Sequence, residues 1–223
     1  MLPSRSSYLK PVVYGLCFLV LTGCAGILGG ESVPTRYYVL SEVPRTDQPP
    51  AAASESIIAV VEITMSDYLD TRNFVTRPTE NTVDLAQFDQ WGAPFRPHVS
   101  RTLKNNIANL VPSERVLLSP LSIPVRVDYE IRTDVQRFEQ DPTGNVVLEA
   151  RWGLIDLNNR TAVALHTTSI SKPVVVDEPA DGDDRSSIAR KKYQAIAEAM
   201  SAALGDMSRE ISAVIRSDVA VTR

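Results

Sequence analysis

The 223-residue chain has only two cysteines, Cys17 and Cys24, and only two histidines, His98 and His166. So few soft ligands leave no room for a Cys-rich zinc site or a disulfide framework. No H-E-x-x-H pair, G-x-S-x-G elbow, G-x-x-x-x-G-K-[ST] loop or dinucleotide fingerprint occurs, so no local motif for metal, nucleophile or nucleotide chemistry is present. Cations are not in excess either. The formal charge is −4, which argues against a surface built to hold phosphate backbones, so no nucleic-acid partner is expected. No apolar run is long enough to cross a bilayer. The longest, from Pro11 to Leu21, has eleven residues, against the roughly 20 a spanning helix needs.

What is present begins with that same run. Arg5 and Lys10 precede it, and it ends in Leu21-Thr22-Gly23-Cys24 with no charges behind. A basic start, a short apolar stretch and a small-residue boundary read as a cleavable targeting peptide over 1–23. Leu21, Thr22, Gly23 and Cys24 resemble the lipobox of bacterial lipoproteins, in which the cysteine thiol is the lipid attachment point. Each buried CH₂ of an acyl chain contributes about 0.8 kcal/mol, so several chains hold a protein where one would not. Ala25 follows in place of an aspartate, which favours the periplasmic face of the outer membrane. Cleavage removes Cys17, Arg5 and Lys10, taking the formal charge to −6. The folded body must then stand without a disulfide. Residues 24–35 read as an acylated, glycine-bearing tether, and residues 36–218 as one periplasmic domain.

Within that domain the apolar spacing predicts α/β (α+β) architecture: a mostly antiparallel or mixed sheet of about six to eight strands with two main helices on one face. Tyr37–Leu40 and Ile57–Ile63 read as strands, the second nearly all apolar and so central. Asn73–Arg77 and Thr82–Leu85 read as a hairpin. Val99, Leu103, Ile107 and Leu110 recur at helical spacing, predicting a helix over 96–110 with Pro97 in its first turn. Val125, Val127, Tyr129, Ile131 and Val135 alternate with charged residues. The parity then changes at Phe138, which predicts a bulge near Gln136-Arg137. With strands at 146–157 and 161–170, this makes an antiparallel meander. Its polar face is left to solvent or to further copies of the chain. The last predicted element is a helix over 187–216, preceded by an acidic loop, 177–184, that lacks the spaced oxygen ligands of a calcium loop.

Taken in order, the lipobox, R-Y-Y-V-L at 36–40, I-I-A-V-V-E-I at 57–63, Y-L-D-T-R-N-F-V-T-R at 68–77, Q-F-D-Q-W-G-A-P-F at 87–95 and the late meander resemble the PqiC/YmbA-like family of ABC-type transport auxiliary lipoprotein components. The chain departs from the family pattern at Gly92-Ala93 and in the acidic loop. The resemblance implies a non-enzymatic, cofactor-free component of an MCE-type transport system moving phospholipid or other hydrophobic molecules between membranes. Its partners would be an MCE-domain tunnel protein, the ABC transporter and, through acyl chains, the outer-membrane bilayer. A generic outer-membrane assembly or secretion-pilot lipoprotein is the alternative. Tyr68, Arg72, Trp91 and Phe95 are the candidate partner-interface residues. A core role is weighed beside this for Trp91 and Phe95, because aromatic rings bury large areas.

Overall fold

The computed structural model describes residues 34–45, 56–111, 115–121, 124–178, 180 and 182–219. Leu21, Thr22, Gly23 and Cys24, expected to form a lipobox, lie outside them, as do the expected leader and most of the expected tether. The described residues from Thr35 onward belong to one compact unit.

The long strand Tyr129–Gln140 (β7) organises the sheet. Along one edge it pairs antiparallel with Asn145–Asp156 (β8), which pairs antiparallel with Thr161–Pro173 (β9). This is the meander that the alternation predicts. Between β7 and β8 the turn is closed by the Gly144 amide donating to the Asp141 carbonyl, with Gly144 at φ 87°, a conformation glycine adopts without a Cβ penalty. The register shifts between Val135 and Arg137. One extra residue, Gln136, is thereby accommodated, and Phe138 turns inward where the parity change predicts a bulge.

Three strands share the other edge of β7, all parallel to it. Ile58–Val61 (β2) meets its start, Thr64–Met65 (β3) its middle and Asn73–Thr79 (β4) its end at Gln140. Beyond β2 lies the parallel strand Val116–Ser119 (β6), which makes β2 central as its apolar composition predicts. Beyond β4 come antiparallel Thr82–Trp91 (β5) and then the parallel strand Arg36–Tyr38 (β1). The result is a curled mixed sheet of nine strands. The count exceeds the six to eight expected because β3, at two residues, is too short for periodicity to resolve.

Both helices lie against one face. Phe95–Leu110 (α1) buries Val99, Leu103 and Ile107, and Arg185–Val214 (α2) buries Ile196, Met200, Leu204, Met207 and Ile211. These side chains share one apolar cluster with Ile58, Val60, Ile131, Val135, Leu148 and Leu154 of the sheet. At the start of α2, Asp184 accepts the Ser187 amide at 2.7 Å, so a late aspartate of the acidic loop caps the helix.

Two expected strands end early for the same physical reason. After Tyr38 the chain leaves the sheet and crosses the helices. The Leu40 amide donates to His98 Nε2, Ser41 to Ser201 Oγ and Val43 to Asn106 Oδ1, while Asn109 donates to the Val43 carbonyl. The Ile63 amide is likewise taken by Ser100 Oγ at 3.1 Å. Helix side chains here replace a β ladder, keeping buried backbone groups satisfied.

Candidate interaction surface

Of the four residues singled out, the structure brings two together. Trp91 ends β5 and Phe95 begins α1, with ring centroids 5.0 Å apart and planes inclined by 20°. Trp91 also stacks on Phe74 at 4.2 Å, Phe74 and Tyr38 meet nearly perpendicular at 5.1 Å, and Phe95 reaches Phe138 at 5.7 Å. An aromatic spine thus ties β1, β4, β5, α1 and β7. Trp91 is 1% exposed and Phe95 2%. A partner meets these rings only through the surface they support.

Arg72 is joined to this spine through its backbone, its carbonyl accepting the Trp91 amide at 2.7 Å, while its residue is exposed. Tyr68 takes part in a different arrangement. It lies in a short 3₁₀ turn, Asp67–Leu69, and its hydroxyl donates to Glu139 Oε2 at 3.1 Å. Arg77 stands over its ring at 5.3 Å, within range of a cation–π contact. Glu139 is fully buried. Its Oε1 accepts from Arg77 Nε at 2.9 Å and Arg137 Nε at 3.0 Å, and its Oε2 also accepts the Phe138 amide. Burial, then the Glu139 charge, pushes the Tyr68 phenol up. The hydrogen bond to Glu139 pushes the Arg77 guanidinium up. The cluster fixes Tyr68 in place, and neither Glu139 nor the two arginines were apparent from the sequence. Their only local sign is the parity change at Phe138, which leaves the next side chain on the opposite face.

The outer face of the sheet, away from the helices, carries a recess of about 710 Å³. Arg132, Gly153 and Leu165 are opposed across β7, β8 and β9, with Val61 at the end of the row and Arg151 and Ile155 beside it. Gly153 makes the floor: a Cβ there would stand 2.8 Å from Leu165 Cδ2. Leu165 is 76% exposed, and Arg151 has no charged partner among the described residues. The recess is apolar at its centre and charged at its border.

The two histidines stand on separate elements, α1 and β9. His98 packs nearly perpendicular to Trp91 at 5.9 Å, and His166 stacks on Trp152 at 4.5 Å. Burial, then the Arg101 charge, pushes His98 down. Neither imidazole pairs with a carboxylate or serine hydroxyl among the described residues. No group of three or more His, Cys, Asp or Glu side chains gathers to hold a metal there, and no described helix is long and apolar enough to cross a membrane.

Comparison with known proteins adds the following. The family model described as "ABC-type transport auxiliary lipoprotein component" matches residues 38–212. A crystal structure of a Xanthomonas campestris protein assigned to the DUF330 family superposes with a TM-score of 0.62 at 17% identity. That match covers 84% of this chain and 100% of the other. The crystal structure of an uncharacterised protein superposes with a TM-score of 0.61 at 17% identity, covering 82% of this chain and 99% of that one. At such identity these two structures show a shared fold. No curated protein sequence matches the chain.

Proposed function

Because the chain belongs to the family of ABC-type transport auxiliary lipoprotein components, we propose that it is an outer-membrane-anchored periplasmic part of an MCE-type transport system, acting by docking and assembly. The observation that carries this reading is the family match over 38–212 directly behind a lipobox at Leu21–Cys24. Acyl chains on Cys24 would hold the body at the bilayer, and the body would meet its partners through surface contacts. Tyr68, held by Glu139 and Arg77, and exposed Arg72 are the side chains we assign to that contact. Trp91 and Phe95 would shape it from beneath. The cargo would be phospholipid or another hydrophobic molecule, handled by an MCE-domain tunnel protein and its ABC transporter.

Affinity purification of the C-terminally tagged chain from native membranes, read by mass spectrometry, tests this proposal. Recovery of an MCE-domain protein and an ABC permease is the expected result, with a mature amino terminus at acylated Cys24. Recovery of a secretin complex instead, or of a soluble chain with an unmodified Cys24 thiol, would overturn it.

A further inference from the structure

The chain enters the body at a defined place. Arg36, at the start of β1, donates from Nη1 to the Ser186 carbonyl at 2.5 Å and to Ser186 Oγ at 3.3 Å, while its Nε and Nη2 hold Asp89. The start of the body at Thr35 and Arg36 therefore lies beside the first turn of α2. Ten residues separate Cys24 from Pro34, and ten residues span at most about 35 Å. Whatever holds Cys24 holds this end of the body within that reach.

The same end carries basic side chains that no carboxylate pairs among the described residues. Arg185, Arg190 and Lys192 are exposed in the first turns of α2, and the first turn has no acidic residue. Cations there oppose the positive end of the helix dipole. Two acids close in sequence are otherwise engaged: Asp183 binds Lys191 and Asp184 caps the helix. Among the described residues no carboxylate pairs with Arg185, Arg190 or Lys192. Lys192 only approaches the Tyr193 ring, at 5.7 Å. An apolar side chain of the same turns is exposed as well, Ile188 at 39%. Asp84, Asp177 and Glu178 are also exposed, and they limit how closely the body can press on an anionic surface.

We infer that the end of the body where β1 meets the first turns of α2 rests on an anionic phospholipid surface, with Arg185, Arg190 and Lys192 among the headgroups and Ile188 at the interfacial boundary. The inference rests on the reading that Cys24 is acylated. Basic side chains close to an exposed apolar one are the combination that lies along a bilayer surface. The surface contact would orient the body, where acylation alone only tethers it.

The acylated full chain allows a direct test, because the mature sequence has no thiol other than Cys24. Ile188→Cys and, separately, Leu165→Cys on the outer sheet face are labelled with an environment-sensitive fluorophore. The proteins are then bound to vesicles of mixed phosphatidylcholine and phosphatidylglycerol containing nitroxide-labelled lipid. Flotation reads anchoring and quenching reads the face. Expected is flotation of both, with quenching at position 188 and little at 165. Adding Arg185→Glu and Arg190→Glu should lower that quenching about fivefold or more while flotation persists. Flotation without quenching at 188, or quenching unchanged by the charge reversals, overturns the inference and leaves acylation standing. Failure to float removes the acyl reading and the inference with it.

Discussion

Leu40 donates its backbone N–H to Nε2 of His98 at 3.2 Å, inside the apolar body, and Nδ1 of the same ring has no partner among the described residues. An accepting Nε2 requires the neutral imidazole with its proton on Nδ1. Protonating Nε2 would set two donors against each other. Burial, then Arg101, already pushes the group below its ordinary value of 6.5. The unfolded chain therefore takes up a proton before the folded one does. This contribution to stability is complete above pH 6.5 and declines as pH falls from there toward the lowered folded value. Urea denaturation should show the midpoint falling on acidification through this window. His98→Leu should lose that part of the pH dependence and lower stability by about 1–3 kcal/mol at neutral pH, because the Leu40 amide is left without an acceptor.

Gly205 sits where the 39–43 segment crosses α2, and a Cβ there would meet Val43 Cγ1 at 2.9 Å. Two effects oppose in Gly205→Ala. Alanine improves helix propensity by about 1 kcal/mol, whereas overpacking costs about 1–3 kcal/mol. Val43 is buried, β-branched and fixed by hydrogen bonds at both its amide and its carbonyl, so it has little room to yield. The second effect should win. Thermal unfolding should show a net loss of up to about 2 kcal/mol, and hydrogen exchange should quicken at the Ser41 and Val43 amides.

Removing the Glu139 carboxylate separates a buried charge from two partners at once. Arg77 and Arg137 have side-chain exposures of 17% and 28%, so both would remain largely desolvated beside a neutral group. Loss of one member of a buried ion pair costs about 3–5 kcal/mol, and Glu139→Gln should fall near the lower end because the amide oxygen can still accept. Circular dichroism in urea measures the loss. Replacing Glu149, which is more exposed and only 3.4 Å from Arg137, should change stability by less than about 1 kcal/mol.

These contacts also show why the sequence revealed the meander and not the site. The alternation from Tyr129 to Val135, its reset at Phe138 and the Asp141–Gly144 turn are local patterns, and the structure follows each. The helix spacing from Val99 to Leu110 is equally local. By contrast, Glu139 is joined to Tyr68 and Arg77, 71 and 62 residues away, and no period encodes such a meeting. The strap after Tyr38 reads as a continuing strand because Val39 and Leu40 suit one. Its partners are side chains of α1 and α2 more than fifty residues distant. The length of β5 was hidden for a related reason. Asn73 opposes Gln90 while Val75 opposes Leu85, so several residues bulge out and break the alternation beyond Leu85.

Trp91 and Arg72 separate the two roles that candidate interface residues can play. The Trp91 amide binds the Arg72 carbonyl, yet one side chain is buried in the aromatic spine and the other is exposed. Trp91→Ala should remove stacking on both Phe74 and Phe95 and open a cavity, costing about 3–5 kcal/mol. Any loss of partner capture in that variant should therefore track its loss of folded protein. Arg72→Ala leaves the core untouched and should alter stability by no more than about 0.5 kcal/mol. If Arg72 contacts a partner, this variant should unfold at the same urea concentration as the parent but recover measurably less of the transporter complex. Recovery equal to the parent would exclude Arg72 from the contact and leave Tyr68 to be examined alone. Tyr68→Phe is the matched substitution, because it keeps the ring beneath Arg77 and removes only the hydroxyl bound to Glu139.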